Sequence, residues 1–487
     1  MGETLALFTT TFNRSLRIES RPERLTAEPG AVLLRELLER SGILNWLTRR
    51  ITDARRPEAI TYPMAELLRT SVLLLAQGWR DQDDADALRQ DPGLRLAMSE
   101  RRGVTPLEEE HHLPSQPTCS RLVAALSREG NASVLRHAIL ELAGRRLRAL
   151  RGGHRRRRLT IDVDSLPIEV HGQQPGSAWN GHYHGRIYHP LIATVAETGD
   201  ILDGRLRAGN AHTAEGALEF ILDLIDRARR SLCQVAMVRF DAGFPGEPLL
   251  VGLEQRAVPY VARIRNNAAL DRLAVPHLHR PPGRPPLEPR LWLHEMRYAA
   301  KSWSTDRRVV LVVLERPGEL LLDHFWLLTS LPLEAMPAAA LLEHYRQRGT
   351  AEGHMGELMD VLAPALSSTP RPKGHYRNAP PRRRHQRIDG FACNEARLLL
   401  NLLAYEAVHT GRALMEAVTR EGWSLRRFRE RVLRTAARVT VSGRRVIMII
   451  GEAVAKLWRP LWRRLDKLQW CPGEPIQPRP SAPTRPA

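Results

Sequence analysis

Three acidic positions, far apart in the chain, have the side-chain type and setting for metal-assisted phosphoryl chemistry. The first lies in T-I-D-V-D-S, where Asp162 and Asp164 alternate with Ile161 and Val163 in a β-branched run, so both acids share one face of a strand. The second is Asp241, in V-A-M-V-R-F-D-A-G-F-P, where an apolar strand yields to a Gly and Pro turn, the place at which α/β sheets commonly present functional groups. The third is Glu352, with Arg348 four residues and Tyr345 seven residues before it, a spacing that predicts one helical face for all three. Carboxylates of this kind hold hard cations such as Mg²⁺, for which Mn²⁺ can substitute. Two such ions about 3.5–4 Å apart activate an attacking oxygen and stabilise a leaving one in phosphodiester displacement. Read in isolation, the D-x-D pair fits a solvated or Arg-paired edge strand better than a metal site.

The elements that must bring these residues together are legible as a change of pattern. Residues 31–150 carry apolar side chains at helical spacing, as in A-V-L-L-R-E-L-L-E-R and M-A-E-L-L-R-T-S-V-L-L-L-A. Within them, P-S-Q-P-T-C-S-R-L-V-A-A-L has a helix start signal, and its helix either packs or enters a DNA groove with Gln116, Ser120 and Arg121 leading. From Leu159 short strands take over. L-T-I-D-V-D-S-L is followed by Y-H-P-L-I-A-T-V-A and I-L-D-G-R-L-R, the last two joined by the hairpin signal E-T-G-D. Helices and strands then alternate through V-P-Y-V-A-R-I, which predicts a mixed α/β sheet covered on both faces by helices.

This reading divides the chain into a helical N-terminal DNA-binding region (1–150), a first part of a catalytic domain (151–264), a β-rich insertion (265–336), a second part bearing the Glu352 helix (337–412), and basic C-terminal helices with a Pro-rich tail (413–487). The histidine-bearing stretch from His171 through His182 and His184 to His189 reads as a glycine-rich loop near DNA.

Lys and Arg total 73 against 54 Asp and Glu, a formal charge of +19, and a polyanion is the partner such a surface attracts. The runs Arg155, Arg156, Arg157, Arg158 and Arg382 to Arg384 are candidate phosphate clamps or solvated loops, and Trp303 either stacks on a base or packs the insertion. The four cysteines are widely spaced and form no C-x-x-C pair, which argues against a zinc site or a disulfide framework. With no secretory leader pattern and no apolar run of membrane-spanning length, a soluble cytoplasmic protein without membrane partners is expected.

The series T-I-D-V-D-S, L-R-A-G-N-A-H-T-A-E-G, V-R-F-D-A-G-F and Y-R-Q-R-G-T-A-E resembles the DDE transposases of bacterial insertion sequences, above all the family numbered thirteen-eighty. G-W-R-D-Q-D-D-A-D-A-L-R-Q-D-P and L-P-S-Q-P-T-C-S-R-L extend the likeness to the N-terminal part. The resemblance implies an RNase H-like catalytic domain with its β-rich insertion before the catalytic Glu helix. It implies Asp164, Asp241 and Glu352 as a metal-binding catalytic triad, with Tyr345 and Arg348 as DNA contacts in a Tyr-x-x-Arg-x-x-x-Glu signature. Asp162, on the same face one strand step earlier, is then the acid that orients a ligand or water, with the reverse order, Asp162 as ligand in place of Asp164, left open. It also implies double-stranded DNA as partner, both element ends and target, a homodimer in the DNA complex, and a place at the bacterial nucleoid. The wider group carries Lys seven residues after the Glu, where this chain has Met359. That departure keeps open an inactive end-binding relative, and an RNase H-like nuclease without strand transfer is a third expectation.

Overall fold

The structure, a computed structural model, describes residues 11–13, 15–16, 21–128, 130–150, 158–284, 286–368 and 389–470. It divides into two compact units, one of residues 1–40, 53–122 and 407–467, the other of residues 41–52, 123–406 and 468–487. No helix among the described residues is long and apolar enough to cross a membrane.

The first unit is mainly helical. Helix Met64–Gln77 buries Leu67, Leu68, Val72 and Leu73, the three- and four-residue spacing of its apolar stripe, and stops at Gly78. There the chain turns left-handed (φ 92°), a conformation that glycine adopts without a Cβ penalty. Asp91 caps helix Pro92–Met98 by accepting the Leu94 N–H at 2.8 Å. Strand β1 (Arg24–Thr26) belongs to a three-stranded antiparallel sheet completed by two strands from the C-terminal part of the chain.

The second unit is built on a large sheet. Its strands are β2 (Arg158–Ser165), β6 (Leu191–Val195), β7 (Ile201–Arg205), β8 (Gln234–Phe240), β9 (Tyr260–Ile264), β10 (Arg290–Tyr298), β11 (Arg307–Glu315) and β12 (Asp323–Thr329). Between β2 and β6 the chain forms β3 (Ile168–Glu169), β4 (Ala178–Asn180) and β5 (Gly185–Tyr188), and the sheet of the first unit is completed by β13 (Ala437–Ser442) and β14 (Arg445–Ile450). The large sheet has the order β10-β11-β12-β9-β8-β2-β6-β7. β2, β6 and β7 run antiparallel, the last two across the E-T-G-D turn, whereas β8 and β9 lie parallel in the series β2-β8-β9.

The pleat gives the two faces different jobs. Ile161 and Val163 of β2 face the main core, with Leu140, Ala143 and Leu147 of helix Asn131–Leu150 and Phe220, Ile221 and Leu224 of helix Ala217–Ser231. Fully burying side chains of this size contributes about 1.5–3 kcal/mol each. The opposite face carries a smaller cluster in which Met237, Val261, Val310, Val312 and Leu327 meet Leu341 and Leu342 of helix Ala338–Arg346. Asp162 and Asp164 point to this second face.

Three features depart from the pattern read along the sequence. The β-rich segment extends the large sheet, because β12 pairs with β9 and β11, buried along nearly its whole length, needs neighbours on both edges and cover on both faces. The glycine-rich stretch after β2 is not a plain loop but the three-stranded antiparallel sheet β3-β5-β4. The helix expected to carry Tyr345, Arg348 and Glu352 continuously is two helices, Ala338–Arg346 and Gly349–Val361, broken at Gln347 and Arg348, where the Arg348 N–H donates to the Tyr345 carbonyl at 2.9 Å in a tightened turn. The tail 471–487 and the basic stretch 369–388 lie outside the described residues.

Candidate active site

Asp162 lies beside Arg239 in the parallel register of β2 and β8. The two form a bidentate pair, Nε to Oδ1 at 2.6 Å and Nη2 to Oδ2 at 2.7 Å, with each side chain only 1% exposed. The remaining nitrogen, Nη1, donates to the His344 carbonyl at 2.5 Å and ties the sheet to the helix that ends beside Tyr345. Burial pushes the Asp162 carboxyl up from its ordinary pKa, and Arg239 opposes that rise.

One strand step on, near the end of β2, Asp164 reaches a more open position. Its Oδ1 accepts the Ser165 N–H at 2.9 Å, and its Oδ2 accepts from Arg348 Nη1 at 2.5 Å. The other arm of the same guanidinium, Nη2, donates to Glu352 Oε1 at 2.7 Å. Arg348 occupies the break between the two helices, and Glu352 stands in the first turn of the second, where the exposed N–H groups favour an acid. Burial raises the Asp164 carboxyl, Arg348 and the Ser165 amide work against this, and the charge of Asp241 adds to the rise. Burial works against the charge on Arg348, but Asp164, Tyr345 and Asp241 outweigh it and its pKa is raised. The half-buried Tyr345 bonds to Arg348, and its phenol is pushed up first by burial and then by Asp241.

Asp241 follows β8 directly. With Met237 and Arg239 it falls on the same side of the pleat as Asp162 and Asp164. The Phe244 N–H closes the turn on the Asp241 carbonyl at 3.2 Å. Gly243 allows that turn to pass Thr213, since a Cβ there would stand 2.6 Å from Thr213 Cγ2.

A strand end and a helix start, distant in sequence, thus bring two acids onto one guanidinium, whose charge Asp241 at a second strand end also favours. The family described as Transposase DDE domain group 1 matches residues 8–369, most of the chain and all three acids. The chain belongs to the DDE transposases. Among solved structures it is similar to a cryo-EM structure of the piggyBac transposase synaptic complex with hairpin DNA, at 12% identity and a TM-score of 0.42, over 84% of this chain and 79% of that one. No curated protein matches it.

In this DDE transposase Asp164, Arg348 and Glu352 are joined by direct bonds, and Asp241 and Tyr345 are coupled to them through their charges or bonds to Arg348. Trp303 is half-buried, edge-on to Tyr298 at 5.6 Å between centroids and 5.1 Å under the Arg307 guanidinium, which Glu247 and Glu254 hold in turn. Its place is in the packing of β10 and β11. Arg121 is exposed on helix Gln116–Leu126, in the first unit, and bonds Thr118 Oγ1 at 3.1 Å. Arg158 is exposed at the start of β2, about 20 Å along the strand from Asp164. Arg155, Arg156 and Arg157, like Arg382 to Arg384, lie outside the described residues.

Two residues of the site escaped the sequence reading. Arg239 is the partner of Asp162, and its signal was present as the one cation in the apolar run V-A-M-V-R-F. Tyr183, in the turn between β4 and β5, has its phenol pushed up by burial and then by the charges of Asp164 and Asp241. No periodicity announces it.

Proposed function

We propose that this chain is the transposase of a bacterial insertion sequence, of the family numbered thirteen-eighty. It binds the terminal inverted repeats of its element as a dimer, cuts the strands at the ends and joins the freed 3′ hydroxyl to target DNA. The observation that carries this reading is the convergence of Asp164 and Glu352 on Arg348, with Asp241 beside them at the end of the neighbouring strand. An RNase H-like core is supported by the order β7-β6-β2-β8-β9, an antiparallel meander followed by parallel strands.

The donor chemistry fits a divalent cation. All three acids offer hard oxygens, and a positive group already stands between two of them in the form of Arg348. Among the described residues no three His, Cys, Asp or Glu side chains gather around one point, so holding an ion requires Arg348 to give way. Asp164, Asp241 and Glu352 would be the ligands, for Mg²⁺ or Mn²⁺. When bound, such an ion supplies a water of lowered pKa and neutralises charge at the scissile phosphate.

The chain's own residues do the rest. Asp162 fixes Arg239, Arg239 fixes the end of helix Ala338–Arg346, and that end presents Tyr345 and, just beyond the helix, Arg348 to the acids. Arg348 is then placed to exchange its carboxylate partners for a phosphate oxygen of the DNA. In the first step water oxygen bonds to phosphorus, the bond to the 3′ oxygen breaks, and that oxygen leaves as a hydroxyl. In the second the 3′ hydroxyl attacks a target phosphodiester and displaces another 3′ oxygen.

The test uses the full chain, duplex DNA bearing the element end, and Mg²⁺ or Mn²⁺. Cleavage is expected in the wild type, with loss in Asp164→Asn, Asp241→Asn and Glu352→Gln while end binding persists. Cleavage that survives these substitutions overturns the site. End-specific binding without cleavage by the wild type marks an inactive relative, and cleavage without joining of a pre-cut end marks a nuclease.

A further inference from the structure

We infer that the small sheet β3-β5-β4 is a stacking platform for an unpaired nucleobase of the DNA strand at the cleavage point, with Trp179 as its contact face. The inference rests on the reading of the chain as a DNA-cutting enzyme and deepens it.

Trp179 is 63% exposed and is the only tryptophan among the exposed large hydrophobic residues described. An indole held in water at a strand centre is costly unless it meets a flat apolar partner. The strand beneath it is held rigidly. Asn180 Nδ2 donates to the Gly209 carbonyl at 3.0 Å, and the Gly209 N–H donates to the Gly176 carbonyl at 3.1 Å. Gly209 approaches so closely that a Cβ would lie 2.0 Å from the Ile187 carbonyl oxygen. A platform fixed in advance loses little entropy when a base lands on it.

Position and charge choose the occupant. The small sheet continues the β2-β6 ladder, since Ser165 pairs with Leu191 and, a few residues on, Ile168 pairs with Tyr188. The turn that follows β4 carries Tyr183, whose phenol feels the charges of Asp164 and Asp241. Trp179 stands opposite Arg186, and Arg186 Nη1 is held by the Ser177 carbonyl at 3.0 Å. From Val170 to Pro190 there is no Asp or Glu, while the exposed His171, His182 and His184 and the half-buried Arg186 are present. Such a surface suits a phosphate backbone, and the indole needs a π-face that only an unpaired base exposes. Trp303 does not compete for this role, being packed between Tyr298 and Arg307.

The experiment compares the full-length wild type, Trp179→Ala and Trp179→Phe on two end duplexes without divalent ions. One is blunt, and the other carries a short single-stranded flank at the cleavage point with 2-aminopurine as the first unpaired base. Wild type and Trp179→Phe are expected to quench the 2-aminopurine. Trp179→Ala should lose the quenching and bind the flanked duplex about 5- to 100-fold more weakly, with blunt-duplex binding unchanged. Unchanged quenching and affinity in Trp179→Ala, or an equal loss on both duplexes, overturns the platform. Repeating the series on a duplex of unrelated sequence separates the two readings. If the wild type shows no preference for end DNA but Trp179→Ala still loses the flank-dependent gain, the platform stands and the insertion-sequence reading falls.

Discussion

Asp162 and Asp164 are neighbours on one face of one strand, yet the structure assigns their substitution opposite consequences. Asp162→Asn replaces a buried carboxylate by a neutral amide and leaves the Arg239 guanidinium, 1% exposed, without its counter-charge. Removing one member of such a pair costs about 3–5 kcal/mol, because the surviving charge is neither hydrated nor paired. That is roughly a 10²- to 10⁴-fold shift in the folding equilibrium. With a denaturant slope of about 3 kcal/mol/M, the urea midpoint of the larger unit falls by about 1–2 M. Asp164→Asn leaves Arg348 its bond to Glu352 at a more open position, so the midpoint stays near the wild-type value while cleavage of end DNA disappears. Urea titrations followed by tryptophan fluorescence, run beside cleavage assays on the same preparations, separate the two effects. A pair variant, Asp162→Leu with Arg239→Met, should recover most of the midpoint lost in either single variant, since well-packed apolar groups replace buried ion pairs at little cost. A wild-type midpoint in Asp162→Asn combined with abolished cleavage, and intact cleavage in Asp164→Asn, would refute this division of labour.

Three further outcomes follow from particular contacts. Arg348→Ala should lower end cleavage about 10²- to 10³-fold in single-turnover assays, and Arg348→Lys should not restore it, because one ammonium cannot span Asp164 and Glu352 as the two arms of the guanidinium do. Gly243→Ala should cost about 1–3 kcal/mol by driving the Asp241 turn against Thr213, measurable as a lowered urea midpoint with slower cleavage, and Thr213→Gly in the same chain should relieve both. Glu28, 1% exposed in the first unit, has its carboxyl raised by burial from 4.5 to about 7 against the pull of Arg434. The folded state therefore binds this proton more tightly than the unfolded chain. Its contribution is fully present below pH 4.5 and is lost as pH rises through about 7. The loss amounts to about 3 kcal/mol, and Glu28→Gln should flatten that part of the pH–stability curve in chemical denaturation.

Much of the scaffold was open to reading because its signals are local. Alternation in L-T-I-D-V-D-S sets which side chains share a face, E-T-G-D joins the β6-β7 hairpin, and the three- and four-residue spacing in A-L-E-F-I-L-D-L-I places helix Ala217–Ser231 on the main core. The three acids were visible for the same reason, each standing where a local pattern changes. Pairing between distant segments was not visible. Nothing in V-A-M-V-R-F says that Arg239 will lie opposite Asp162, since that depends on the parallel register of β2 and β8. The β-rich segment could be read as strands, but its joining the large sheet was decided by β12 meeting β9. Tyr183 and Trp179 sat in a stretch rich in glycine and histidine that has neither helical nor alternating periodicity, so only the folded small sheet shows what they stand on.

By itself, then, the sequence determined the strand and helix grammar, the strongly basic charge, and the local settings of Asp164, Asp241 and Glu352 that make them candidates. Tertiary structure alone decided what each acid faces: Arg239 for Asp162, Arg348 for Asp164 and Glu352. The physical reason is that side-chain type and period are properties of a few neighbouring residues. The free energy of a buried charge is set by whichever group the fold brings within a few ångströms of it.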